Sequence, residues 1–297
     1  MFNGTANILK PPGISSFALI KKLRKLVDEK KAGHTGTLDP AAAGVLGVCF
    51  GKATKTIPFL NDERKEYICE MQLGKKTDTL DLEGSVVAED LNWNNLDNSE
   101  IKNTILSFQG VQKQVPPMFS ALHYQGKRLY ELARKGIVVE RESREIKIFS
   151  IEILDINLPI IRFKVEVSRG TYIRALVRDI ADKLNTNAVM TFLLRTKSGP
   201  FIIENSLSFE EIKKKGTEVL LKIHEPLDLP QYKVKDEEAY RAENGNYLIK
   251  ENLVENNIEL EVNDYFLLFS ESDKLIAISQ YQIIDDYEIF QPHKVFI

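Results

Sequence analysis

Between Tyr67 and Leu73 the chain alternates. Tyr67, Cys69, Met71 and Leu73 are separated by Ile68, Glu70 and Gln72, a period of two that predicts a β-strand with one buried face. Upstream the period changes. Leu19, Ile20, Leu23, Leu26 and Val27 follow helical spacing with Lys21, Lys22, Arg24 and Lys25 between them, so a helix is expected to about Lys30, capped by Ser15 or Ser16. The apolar run Val45–Phe50 predicts a buried strand leading into a short helix over Lys52–Leu60. Thr77 to Gly84 is acidic and turn-like, and Asn98 or Ser99 is expected to cap a helix ending near Phe108.

Further along, a helix is expected over Lys127–Lys135, stopped by Gly136, a residue suited to a left-handed C-cap. Strands follow over Glu145–Ile156 and Ile161–Ser168, then a helix from Thr171 to about Leu184 and a strand over Val189–Arg195. Strand pairs of this kind, mixed with helices but without regular βαβ alternation, predict an α+β fold on a largely antiparallel sheet. A lysine-rich helix near Phe209–Gly216 precedes Pro226 and Pro230, which bracket an expected linker. Short strands such as Tyr265–Phe269 and Lys274–Ser279 then suggest a small C-terminal β-barrel. Two units are therefore expected, residues 1–224 and 225–297.

Composition changes this picture in two ways. With 297 residues, 43% of them hydrophobic, the chain can bury a large core and a small one, and no run of about 18 apolar residues suggests a membrane span. Met1–Pro12 lacks the pattern of a secretory leader, and Cys49 and Cys69 lie in apolar stretches, as reduced core thiols do. A soluble cytoplasmic protein is expected. His34, His123, His224 and His293 match no metal-ligand spacing, so no metal is expected. The net charge of −3 conceals an asymmetry: Glu225–Ile297 holds 16 acidic and 6 basic residues, and Met1–His224 holds 27 and 34. A basic body suits a polyanionic partner.

The chemistry concentrates in Gly33-His34-Thr35-Gly36-Thr37-Leu38-Asp39-Pro40, running on to Ala43-Gly44-Val45-Leu46. Its glycines permit close backbone approach, and Pro40 biases Asp39 towards an extended conformation, so the loop presents one carboxylate at a sheet edge. This stretch resembles the active-site motif of the TruB family, the bacterial-type tRNA pseudouridine synthases. Five more blocks are similar in the same order: Lys10-Pro11-Pro12-Gly13-Ile14-Ser15-Ser16; Lys65-Glu66-Tyr67 to Leu73-Gly74 with Thr77-Asp78-Thr79; Pro116 to Ala121 with Tyr124-Gln125-Gly126-Lys127; Ser168 to Arg174; and Leu193 to Gly199.

The resemblance implies a pseudouridine-synthase fold and conversion of uridine 55 in the T loop of tRNA, a reaction without cofactor. It implies Asp39 as the catalytic carboxylate, Tyr67 as the ring stacked on the target base, and Arg174 as the partner that keeps Asp39 ionised. His34 matches a histidine that fills the space left by the flipped uridine, and Tyr172 and Leu193 match residues lining the base pocket. The sequence departs from the family pattern at Leu194, where a second arginine is frequent, and at Ala41-Ala42-Ala43, where Leu-Ala-Thr/Ser is more usual. The C-terminal segment resembles a PUA-type RNA-binding barrel through Glu243-Asn244-Gly245 and Pro292-His293-Lys294-Val295-Phe296, and its acidity argues for an accessory role. A stand-alone monomer acting on tRNA, without guide RNA or obligate protein partner, is the expectation. The rivals are an RNA-binding or tRNA-folding factor, a guide-dependent pseudouridylase, and a related synthase acting on another uridine.

Overall fold

The computed structural model describes residues 2–60, 64–254 and 257–297. Along the chain run β1 (Gly4–Lys10), α1 (Ser16–Leu26), β2 (Ala32–His34), β3 (Ala43–Phe50), a 3-10 helix (Gly51–Phe59), β4 (Arg64–Leu73), β5 (Lys75–Thr77) and β6 (Val86–Glu89). Next come α2 (Asn98–Leu106), β7 (Gly110–Gln114), β8 (His123–Tyr124), β9 (Lys127–Arg128), α3 (Leu129–Ala133), β10 (Arg144–Asn157) and β11 (Ile160–Ser168). Then follow α4 (Ile173–Lys183), β12 (Ala188–Ser198), β13 (Phe201–Ile202), α5 (Phe209–Lys215), β14 (Gln231–Val234), α6 (Ala239–Glu243), β15 (Tyr265–Ser270), β16 (Leu275–Ile284) and β17 (Tyr287–Val295).

Among the described residues the large sheet has nine strands in the order β1-β3-β12-β4-β11-β10-β7, with β2 on β3 and β13 on β12. Within this sheet, among the described strands, β3 and β12 alone run parallel, through Leu194 opposite Ala43 and Arg195 opposite Gly44. The architecture is the expected α+β type on a largely antiparallel sheet. The alternation read in β4 is the alternation of burial: Tyr67, Cys69, Met71 and Leu73 face one core with Phe163 and Val165 of β11 and Leu176, Val177 and Ile180 of α4. Leu19, Ile20 and Leu23 of α1 close a second core against Ile8, Leu46, Val48 and Phe50. Each such side chain contributes roughly 1.5–3 kcal/mol by leaving water. Among the described residues no helix is long and apolar enough to cross a membrane.

Several element boundaries differ from expectation for local reasons. Helix α1 stops at Leu26, not near Lys30, because Asp28 takes a left-handed φ of 50°. Helix α2 is capped by Asp97, whose Oδ1 accepts the Ser99 and Glu100 N–H groups at 2.7 and 2.8 Å. The helix expected over Lys127–Lys135 is only Leu129–Ala133, because Gln125 and Gly126, at φ 48° and 79°, turn β8 back onto β9.

The C-terminal segment forms a separate four-stranded sheet, β14-β15-β16-β17, consistent with a PUA-like unit. Its own core holds Phe266, Leu268, Ile276 and Phe290. A further core joins it to the body: Leu267, Phe269, Ile278 and Phe296 pack with Val45, Cys49, Ala53, Leu60 and Phe201. Strand β3 is thus buried on both faces, which explains its uninterrupted apolar run.

Candidate active site

The loop between β2 and β3 is held by polar groups from distant segments. Ser16 Oγ accepts the Leu38 N–H and donates to the Leu38 carbonyl, both at 2.9 Å. Lys10, fully buried, points its ammonium at the carbonyls of Pro11, Pro40 and Ala42, at 3.0, 3.1 and 2.6 Å. Burial pulls its pKa down to about 8, although the Asp39 carboxylate opposes the shift. Arg195, also fully buried, donates to the carbonyls of Val45 at 2.8 Å and Gly36 at 3.0 Å. Gly44 permits the close β3–β12 approach: its φ is +114°, and a Cβ there would lie 2.2 Å from the Arg195 carbonyl oxygen.

These supports present Asp39 to Arg174, the second residue of α4. The Arg174 Nε lies 2.9 Å from Asp39 Oδ2 and 3.5 Å from Asp81 Oδ2. Its two terminal nitrogens donate to the carbonyls of Thr79 and Phe119, at 2.8 and 2.9 Å. The Arg174 side chain is 5% exposed and that of Asp39 is 34% exposed, so the pair is anchored below and open to the cleft on the carboxylate side. Desolvation raises the pKa of Asp39 above the ordinary carboxylate range, and Asp81 adds to that; Arg174 and, more weakly, Lys10 oppose it.

The cleft above this pair, about 280 Å³, is walled by Tyr67, Tyr172, Leu193 and Lys65. Tyr67 and Leu193 come from adjacent strands, and their register sets Leu193 opposite Cys69 and Arg195 opposite Tyr67. Tyr172 is the N-cap residue of α4 but makes no side-chain cap hydrogen bond; buried Gln114 accepts the Tyr172 N–H at 2.9 Å and donates to its carbonyl at 3.2 Å. The Arg144 guanidinium lies over the Tyr172 ring, 4.8 Å from its centroid. A second cleft of about 640 Å³ shares Asp39, Ser120 and Arg174 with the first and extends past His34, Phe17, Arg128 and Tyr130. His34 therefore lies in the outer cleft, apart from the four residues that wall the inner one. Desolvation, reinforced by Arg195 and Lys65, lowers its pKa, so the ring is neutral near pH 7.

Five of the six predicted site residues thus line one cleft: Asp39, Tyr67, Tyr172, Arg174 and Leu193. Sequence reasoning missed Asp81, which is buried, read Ser16 only as a possible helix cap, and gave no individual role to Lys10, Gln114, Ser120 or Arg195. Asp81 carries no local signal. Its neighbour Asp78 is equally acidic yet exposed, and its carboxylate accepts the Ser85 N–H at 2.9 Å.

Residues 24–173 match the model of the TruB family pseudouridylate synthase N-terminal domain. A Clostridium tetani protein named tRNA pseudouridine synthase B is 43% identical over 285 residues, covering 94% of this chain and 95% of the relative. The chain belongs to the TruB family. A Syntrophomonas wolfei TruB relative of the same name is 38% identical over 303 residues, covering 99% and 98%. The crystal structure of a Cbf5-Nop10-Gar1 complex includes a chain of the same fold, with a TM-score of 0.73 and 25% identity, covering 99% of this chain and 85% of that one. The TruB domain match ends one residue before Arg174, and the geometry joins that arginine to the carboxylate in the matched loop.

Proposed function

We propose that this chain isomerises uridine to pseudouridine at position 55 in the T loop of tRNA; the names of its relatives carry the tRNA pseudouridine synthase activity, and the resemblance of the motif blocks implies the position. The observation that carries the reading is the ion pair of Asp39 with buried Arg174 at the floor of a cleft walled by Tyr67, Tyr172 and Leu193. Isomerisation breaks the C1′–N1 bond, turns the uracil and forms a C1′–C5 bond, while C5 loses a proton and N1 gains one. The base needs a flat apolar slot in which to turn, and Tyr67 and Leu193 supply its walls. The sugar needs a carboxylate at C1′ or at the neighbouring C–H, and Asp39 supplies it.

Arg174 offsets the desolvation of that carboxylate and fixes its direction, so the charged form stays available in a partly dry site. The uridine reaches the cleft by leaving its stack, at a cost of a few kcal/mol, and the neutral His34 ring in the outer cleft occupies part of the space left behind. Phosphate contacts come mainly from residues 1–224, the basic part, with 225–297 as an accessory unit acting partly through the shared core. The enzyme works in the cytoplasm as a monomer on tRNA alone, without a guide RNA or obligate protein partner.

Pseudouridine mapping on unmodified tRNA, with wild type and Asp39→Asn, tests this. Conversion at position 55 by wild type and none by the variant is the expected result. Conversion elsewhere would keep the chemistry and overturn the site. RNA binding without any conversion by folded wild type would favour a binding or tRNA-folding factor.

A further inference from the structure

Ser120 stands where the two clefts meet, with Asp39 and Arg174 as co-lining residues of both. It is 5% exposed, and its Oγ has no hydrogen-bond partner among the described residues. Its backbone is fully engaged. The Ser120 N–H donates to the Met118 carbonyl at 2.9 Å, and its carbonyl accepts the Tyr130 N–H at 3.1 Å. The preceding carbonyl, of Phe119, accepts a hydrogen bond from Arg174. The residue is thereby tied to the arginine that orients Asp39 on one side and to α3 on the other. Buried hydroxyls are normally paired; this one, closed to solvent behind the cleft wall and without a partner among the described residues, needs a turn about its Cα–Cβ bond to meet a partner that arrives with the ligand.

We infer that the Ser120 hydroxyl hydrogen-bonds the ribose 2′-hydroxyl of the target uridine and so helps the site select RNA over DNA. The inference rests on the proposed reading, in which Asp39 acts beside C1′. The inner cleft holds the base and the outer cleft receives the strand, so the sugar lies at their junction, where Asp39 and Ser120 both stand. C2′ is one bond from C1′, so a sugar that brings C1′ to Asp39 carries its 2′-hydroxyl into the same junction. A neutral hydroxyl that both donates and accepts suits another hydroxyl. It suits a phosphate less, because the neighbouring Asp39 carboxylate would repel one. The 2′-hydroxyl is also the group by which a protein tells RNA from DNA at one nucleotide.

The test uses the full chain carrying Asp39→Asn, to prevent turnover, and a T-arm stem-loop RNA with either uridine or 2′-deoxyuridine at the target. One neutral hydrogen bond corresponds to roughly a fivefold affinity ratio between the two RNAs. Adding Ser120→Ala should bring that ratio close to one, while affinity for the deoxy RNA stays unchanged. In the otherwise wild-type chain, Ser120→Ala should slow single-turnover conversion of the ribose substrate about tenfold. A ribose-to-deoxyribose ratio that survives Ser120→Ala overturns the inference, as does an equal loss of affinity for both RNAs. If Ser120→Ala does not fold, Ser120→Cys keeps the volume, weakens the hydrogen bond and should lower the same ratio. Failure of wild type to convert the ribose RNA would instead overturn the proposed function, which separates the two claims.

Discussion

Replacing Arg174 by alanine perturbs stability and chemistry together, and the two effects can be separated. The guanidinium has four oxygen neighbours: Asp39, Asp81, and the carbonyls of Thr79 and Phe119. Removing one member of a buried ion pair costs about 3–5 kcal/mol, mostly because the partner charge is left buried. Asp81 fits that case, with its side chain 5% exposed, whereas Asp39 at 34% can still be solvated. The lower end, about 3 kcal/mol, is therefore expected, or a fall in Tm of roughly 6–12 °C. The rate should fall at least about a hundredfold, because Asp39 loses its orientation. Its pH dependence should move as well. Burial and Asp81 already raise the pKa of Asp39, and Arg174 is the largest force against them. Without it the pKa rises further. Because the reactive form is the deprotonated one, the acid limb of the rate profile should shift to higher pH, and part of the lost rate should return as pH rises. Thermal melts and single-turnover pseudouridine formation across pH measure both effects. Arg174→Lys should fall between, since one ammonium cannot reach Asp39 and both carbonyls at once. An Arg174→Ala protein that melts with wild type and keeps the same acid limb would refute the reasoning.

Lys10, with a pKa near 8, should give the rate profile an alkaline limb at about that pH, as the ammonium that holds the Pro40 and Ala42 carbonyls loses its charge. Lys10→Arg, which does not titrate there, should flatten the limb, and an unchanged limb in that variant would remove Lys10 as its source. The linked effect on stability has the opposite sign: between about 8 and 10.5 the unfolded chain binds this proton more tightly, so the contribution of Lys10 to folding becomes less unfavourable as pH rises. Truncation to residues 1–224 uncovers Val45, Ala53, Leu60 and Phe201, and at roughly 1.5–3 kcal/mol for each large apolar side chain it should lower Tm by about 10 °C or more. Circular-dichroism melting and light scattering would show this; a truncated chain that melts like the full one would mean that the shared core contributes little.

The sequence by itself determined what depends on near neighbours. The period of two in Tyr67–Leu73 is a property of consecutive residues, so β4 and its buried face were legible, as was the helical spacing of α1. The motif blocks named Asp39, Tyr67 and Arg174 because each block is contiguous. Turn dihedrals were harder to read: nothing in Asp28 or Gln125 announces a positive φ until the following chain is seen to reverse. What only the tertiary structure decided is the set of contacts between residues far apart in the chain. Asp81 became part of the site and Asp78 did not because a single loop position faces Arg174. Lys10 and Arg195 became supports of the Asp39 loop because β1, β3 and β12 pair in one register, which brings carbonyls from the loop within their reach. The acidic C-terminal segment reads as an appendage by charge, yet it shares a core with β3, since the second face of a strand finds its cover only after folding. Local periodicity is written in consecutive residues; an ion pair across 135 positions, Asp39 to Arg174, exists only once register and packing have brought its partners together.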